Sequence, residues 1–166
     1  MMNVIIERLD NTYSEQIGEL ILPIQQQEFN IPITLAEQVD LSSIEQFYDS
    51  TGGCFLGAFI NNYLVGTLAI ISFAGDAGAI RKMFVRKEYR GREYMIAQRL
   101  FQTLISYCID KKITNIYLGT IDVFKAAQRF YERNGFVEIN KTDLPAAFPL
   151  MSVDNVFYYR DLKNDR

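Results

Sequence analysis

The stretch richest in chemistry is Met83-Phe84-Val85-Arg86-Lys87-Glu88-Tyr89-Arg90-Gly91-Arg92-Glu93-Tyr94-Met95-Ile96-Ala97-Gln98-Arg99-Leu100. An apolar run enters a basic turn that contains glycine, and the turn opens directly onto helical periodicity. Such a turn offers free backbone N–H groups and the positive end of a helix dipole to an anion, and Arg90 and Arg92 add full charges. The anion this arrangement suits is a pyrophosphate. An isolated Arg-Gly-Arg is more simply a solvated charge cluster. Here a second patterned stretch follows, Lys125-Ala126-Ala127-Gln128-Arg129-Phe130-Tyr131-Glu132-Arg133-Asn134-Gly135-Phe136.

The elements that must position these residues are legible on either side. Met2–Leu9 reads as a strand, and Ser14–Gln27 places Ile17, Leu20, Ile21 and Ile24 at helical spacing. After a connector with Pro32, a short helix is expected from Asp40 or Leu41 to Tyr48, broken by Gly52-Gly53. Two apolar runs, 54–60 and 63–71, flank Asn61-Asn62 and predict a hairpin. A strand over 79–85, a helix ending near Lys111-Lys112, a strand over 113–119 and a helix over 124–133 follow. That order requires a crossover with parallel strands at 80–85 and 113–118. Residues 136–139 and 156–160 supply two further strands, with an irregular, proline-containing segment between them. The expectation is one α/β (α+β) domain over residues 1–166, a mixed sheet of six or seven strands flanked by about four helices.

With both stretches placed, the chain resembles the GNAT superfamily of N-acetyltransferases. The resemblance rests on Met83-Phe84-Val85, Tyr89-Arg90-Gly91 and Ala127 to Phe136 with its Phe130-Tyr131 and Gly135-Phe136. It implies acetyl-CoA as cosubstrate and direct attack of a primary amine, on a small molecule or a peptide, upon the thioester. By the same resemblance Met83, Phe84 and Val85 pair with the pantetheine arm, one N–H polarising the thioester carbonyl. The cofactor turn comprises Arg90, Gly91, Arg92, Glu93, Tyr94, Met95, Ile96 and Ala97. Its best register starts at Arg92 and puts Met95 where the family has glycine; Met disfavours positive φ, so a changed loop is expected. Tyr131 matches the family tyrosine that protonates the departing thiolate, a task suited to a phenol of pKa ~10.

The general base is less legible. Ala79, or Gly78 in a shifted register, occupies the position where many relatives carry glutamate, and the chain has no His. The base is then another carboxylate, a tyrosine or water; Glu28, Asp76 and Asp122 are candidates without geometry behind them, and each reads more simply as a surface acid. Phe124 stands where the family often has an asparagine that touches the cofactor. Cys54 and Cys108 read as small core residues. Residues 144–151 either line the acceptor pocket or cover a sheet edge, with the structural role favoured. Segments 25–40 and 143–155, left to shape the acceptor pocket, carry no recognisable motif.

Composition narrows the field. A formal charge of -3 over 166 residues disfavours nucleic acid as a partner, and absent His with two distant Cys disfavours a metal site. Nothing approaches the ~20 apolar residues of a membrane span, and no export signal is visible near Met1–Asp10, so the cytoplasm is the expected compartment. Aromatics in the final strand leave a homodimer open. An acyl-CoA-binding sensor that has lost turnover is the competing function.

Overall fold

The computed structural model describes residues 3–163; Met2, where the first strand was expected to begin, lies outside them. The hairpin that the sequence specifies most locally is present: β2 (Cys54–Ile60) and β3 (Tyr63–Phe73) pair antiparallel. Asn61 and Asn62 take φ of 51° and 64°, the left-handed pair that a two-residue turn needs to match strand twist. β1 (Val4–Arg8) adds to β2, and β4 (Ala77–Val85) adds to β3. Beyond β4 come β5 (Asn115–Thr120), β7 (Val156–Asp161) and β6 (Val137–Ile139), giving a seven-stranded mixed sheet in the order β1-β2-β3-β4-β5-β7-β6.

β4 and β5 form the parallel pair, as the crossover through α3 (Ile96–Lys111) requires. Their register runs only from Ala77↔Asn115 to Ile80↔Leu118. Past Ile80 the strands diverge, so 81–85 keep β3 on one side and have no strand on the other. On the β3 side the register jumps from Ala69↔Arg81 to Thr67↔Phe84. Two β4 residues, Lys82 and Met83, thus oppose one β3 residue, which is a β-bulge. Lys82 sits at φ 59°, and Thr67 fixes the kink by donating its hydroxyl to the Lys82 carbonyl at 2.7 Å.

The two faces of the sheet carry separate cores. Cys54, Leu56, Ala58 and Ile60 of β2 face Leu100, Phe101, Leu104 and Cys108 of α3, while Phe55 and Phe59 face Ile17, Leu20 and Ile21 of α1 (Ser14–Pro23). β2 is therefore buried throughout, each alternate residue serving a different layer. α4 (Lys125–Arg133) joins the α3 layer through Phe130 and Tyr131.

Two helices depart from their expected form. The first ends at Pro23 and continues as a π-turn over Ile24–Glu28, with Phe29 N–H donating to Ile24 O at 3.1 Å. The expected helix at 40–48 is two pieces, a 3-10 turn (Val39–Ser42) and α2 (Ile44–Phe47). Asp40 is buried in the first piece, where the Tyr48 hydroxyl donates to it at 2.5 Å.

Candidate active site

Where β4 and β5 part, two cavities meet. The larger, about 790 Å³, runs along the outer edge of β4 to the start of α3. Met83, Phe84 and Val85 form one wall, and Phe124, Ala127 and Phe130 the other. Its remaining lining includes Arg90, Arg92, Lys125 and Arg133, with no acid among the described residues that line it. A cleft of this size suits a cofactor-sized ligand, and its charge suits a polyanion.

The basic turn that closes this cleft keeps the geometry its sequence put in doubt. Met95 takes φ 54° and ψ 37° and serves as the N-cap of α3, so the left-handed turn survives the β-carbon at a cost of roughly 1–2 kcal/mol. Gly91, at φ 105°, supplies a second left-handed position. Arg90 is already engaged: its guanidinium donates to both Glu28 oxygens at 2.5 and 2.8 Å, and its Nε donates to Val85 O at 2.9 Å. That bond from Arg90 holds the Glu28 carboxyl below its ordinary range. Arg92 makes no ion pair with any described residue. Arg90, Gly91, Arg92, Met95, Ile96 and Ala97 line the cleft, whereas Glu93 and Tyr94 do not. Glu93 faces solvent, and Tyr94 packs against Tyr89 at 5.3 Å between ring centroids. The bend of the turn carries these two away from the ligand side.

The smaller cavity, about 110 Å³, lies across the sheet edge and shares Met83, Phe84, Phe124 and Ala127 with the larger one. Its polar lining is Gln25, Arg81, Lys82, Thr120, Tyr131 and Asp154. The bulge explains two adjacent cations in one place. Ile80 and Met83 belong to the α3 face, so the extra residue puts Arg81 and Lys82 together on the opposite face. Both approach Asp40, at 3.8 and 3.7 Å. Lys82 Nζ also donates to Gln38 Oε1 at 2.6 Å, and the Gln25 and Gln38 amides exchange hydrogen bonds at 3.1 and 2.8 Å. Burial pulls the Lys82 ammonium down to about 8, with Asp40 opposing. Gln25 enters this network from the π-turn.

Tyr131 lines the smaller cavity while its neighbour Phe130 lines the larger. The Tyr131 ring is buried against Phe136 and Tyr158, at 5.7 and 6.0 Å. Its hydroxyl makes no hydrogen bond to any described residue. Burial, reinforced by Asp154, pushes the phenol above its ordinary value, so it stays protonated and available as a donor.

Residues 19–136 match the Acetyltransferase (GNAT) family. The chain belongs to that family. A GNAT acetyltransferase from Staphylococcus aureus Mu50 superposes with a TM-score of 0.93 at 44% identity, covering 97% of this chain and all of that one. The PaiA N-acetyltransferase of Thermoplasma acidophilum, solved in complex with coenzyme A, shares the fold at a TM-score of 0.73 and 16% identity, over 96% of this chain and 99% of that one. N-acetylaspartate synthetase of Danio rerio is 32% identical over 110 residues, 65% of this chain. The chain spans about 38% of that relative's length.

Set in the GNAT fold, the expected base position is empty of chemistry: Ala79 is fully buried beside Phe55 and Ala69. None of the three acids named from the sequence lines either cavity. Glu28 is bound to Arg90. Asp76 lies in the turn before β4, at the far end of that strand, hydrogen-bonded to Asn115 at 3.2 Å. Asp122 is exposed. Phe124, in place of the family asparagine, packs edge-on against Phe29 and Phe84, at 4.7 and 6.1 Å, and forms an apolar partition between the cavities. Burial pushes the Cys54 and Cys108 thiols up to about 12, which suits core residues. Of the two roles open to 144–151, the structure gives the segment a place in a cavity wall: Phe148, Pro149 and Met151 line the smaller cavity. Reading the sequence also missed Arg81, Lys82 and Asp154 on that side, and Lys125, Arg133 and Gln98 in the cleft.

Proposed function

We propose that this GNAT chain transfers the acetyl group of acetyl-CoA to a primary amine, by direct attack and without an acyl-enzyme. The observation that carries the reading is the meeting of two unlike cavities at the β4–β5 split: a cationic cleft sized for a cofactor, and a small, mainly apolar chamber beside it that holds charges of both signs. Arg92, Lys125 and Arg133 fit the phosphates of CoA, and the free edge of β4 over Met83–Val85 fits its amide-bearing arm as an added strand would. Bound there, acetyl-CoA supplies an activated acyl group.

The chain's own residues do the remaining work. The β4 edge aligns the thioester with the small chamber, and a main-chain N–H of 83–85 donates to the carbonyl oxygen as charge develops on it. Tyr131 gives a proton to sulfur as the C–S bond breaks. Phe124 and Phe84 exclude water at the junction. A relative named N-acetylaspartate synthetase puts amino acids among the first acceptors to assay. The test is thermal unfolding with and without excess acetyl-CoA, followed by release of free CoA thiol with amines. A ligand that binds only the folded state raises the midpoint. No rise at saturating acetyl-CoA overturns the reading; a rise without thiol release from any amine favours an acyl-CoA sensor.

A further inference from the structure

The smaller cavity holds two groups of opposite sign, each with hydrogen-bonding capacity that the described residues leave open. Arg81 lines it with a guanidinium whose buried Nε has no hydrogen-bond partner among the described residues. Its other contacts are the Met151 sulfur at 2.9 Å and the Asp40 carboxylate at 3.8 Å, and Asp40 is shared with Lys82 and with the Tyr48 hydroxyl. Asp154 lines the same cavity, and its carboxylate accepts no hydrogen bond from any described residue. Arg81 and Asp154 form no ion pair with each other. A buried guanidinium nitrogen short of an acceptor is costly unless a ligand completes it, and a carboxylate held apart from it in the same space of about 110 Å³ is free to take a donor.

We propose that the acceptor is a small amino acid bound as its zwitterion, its carboxylate on Arg81 and its ammonium on Asp154, with Asp154 the base that frees the amine. This rests on the acetyltransferase reading and specifies its acceptor. The chain makes room for Asp154 at one point. On β5, a β-carbon at Gly119 would lie 2.6 Å from Asp154 Oδ2 and 3.0 Å from the Phe157 ring. A larger residue at 119 would push that carboxylate from where it stands.

The protons balance. Asp154 takes one from the ammonium, and the freed nitrogen forms the C–N bond to the thioester carbonyl carbon while the C–S bond breaks. The electron pair of that bond stays on sulfur, which takes the Tyr131 proton. Tyr131 recovers one from the nitrogen as it becomes an amide nitrogen, and Asp154 returns its own to water. The groups facing Asp154 are Arg81 and Lys82 from β4 and Tyr131 from α4. Burial outweighs the two cations and raises the Asp154 carboxyl to about 6, so the base is mostly ionised at neutral pH.

The experiment measures CoA thiol release with each common amino acid and with the derivative in which every carboxylate is amidated. At least one free amino acid is expected to exceed its amide tenfold or more in kcat/KM, since a hydrogen bond to a charged group is lost. Arg81→Gln should raise KM for the free acid and narrow the gap to the amide. Asp154→Asn should lower kcat about 10²-fold and abolish the limb of kcat/KM that rises through pH of about 6. Equal turnover of acid and amide, or preference for an amine with no carboxylate, overturns the proposal; if acetyl-CoA still stabilises the protein, the acetyltransferase reading survives it. Loss of that stabilisation removes both. The acid-to-amide comparison uses the unmodified protein, so poor folding of a variant cannot obscure it.

Discussion

The two cavities differ in how their charges are kept. In the wide cleft the cations are at the surface: Arg92 is exposed and without an ion pair among the described residues, and Arg90 is tied to Glu28 at the rim. In the small chamber Lys82 is buried, Arg81 is largely so, and the two share one anion, Asp40, which itself accepts from Tyr48. Solvent screens the first set, so removing a member costs binding and little stability. The second set is knitted into the fold, so the same kind of change strikes stability first. Charge in one region is free for a ligand; in the other it also holds the fold together.

The largest effect that would test this contrast is Asp40→Ala, expected to cost about 3–5 kcal/mol in denaturant unfolding because it leaves buried cations uncompensated. Arg92→Ala should stay within about 0.5 kcal/mol in the same measurement. Equal losses would erase the distinction. Next in size, Tyr131→Phe should lower kcat about 10²-fold while acetyl-CoA affinity, read by calorimetry, stays nearly unchanged.

Stability against pH offers a third probe of the chamber. The Asp154 carboxyl is raised from its ordinary 3.8 to about 6, burial being the main cause. The native state therefore holds this proton longer than the unfolded chain does. The associated stability is fully present below about pH 4 and is lost as pH rises through about 6. Asp154→Asn should flatten that part of the stability profile; an unchanged slope would move the titration elsewhere.

Smaller effects sharpen the cleft. Arg92→Ala should weaken acetyl-CoA binding about five- to tenfold, an effect that shrinks with added salt. Glu28→Gln, by releasing Arg90, should strengthen the same binding. Smallest of all, Met95→Gly should raise stability by up to about 1 kcal/mol, read in the unfolding midpoint, since it relieves a left-handed residue but adds chain entropy to the unfolded state.

The cleft was legible in the sequence because its parts are local. Asn61-Asn62 sets a hairpin, a basic turn with Gly91 leads into an amphipathic helix, and Ala127–Phe136 follows one crossover later. Even Met95, an apparent departure, reports a left-handed position by where it stands. The chamber was not legible, because its chemistry is assembled from distant segments. Asp154 sits in a loop before β7 and reaches Tyr131 only because β7 returns beside β5. Gln25 and Asp40 are polar residues at helical spacing from buried apolar ones, and nothing local says that they meet Gln38, Lys82 and Arg81. Lys82 joins Arg81 on one face only through the bulge. Alternation alone would have sent the two to opposite sides.

The bulge also lets one strand serve two ends. A strand read two residues at a time has a phase, and the extra residue at 82 is the point where the phase slips. Before the slip, Ala77–Ile80 keep step with the core and with β5; after it, Met83–Val85 keep step with the wide cleft. The slip itself hands two cations to the small chamber, as a stagger in a row of type sets two letters on one line.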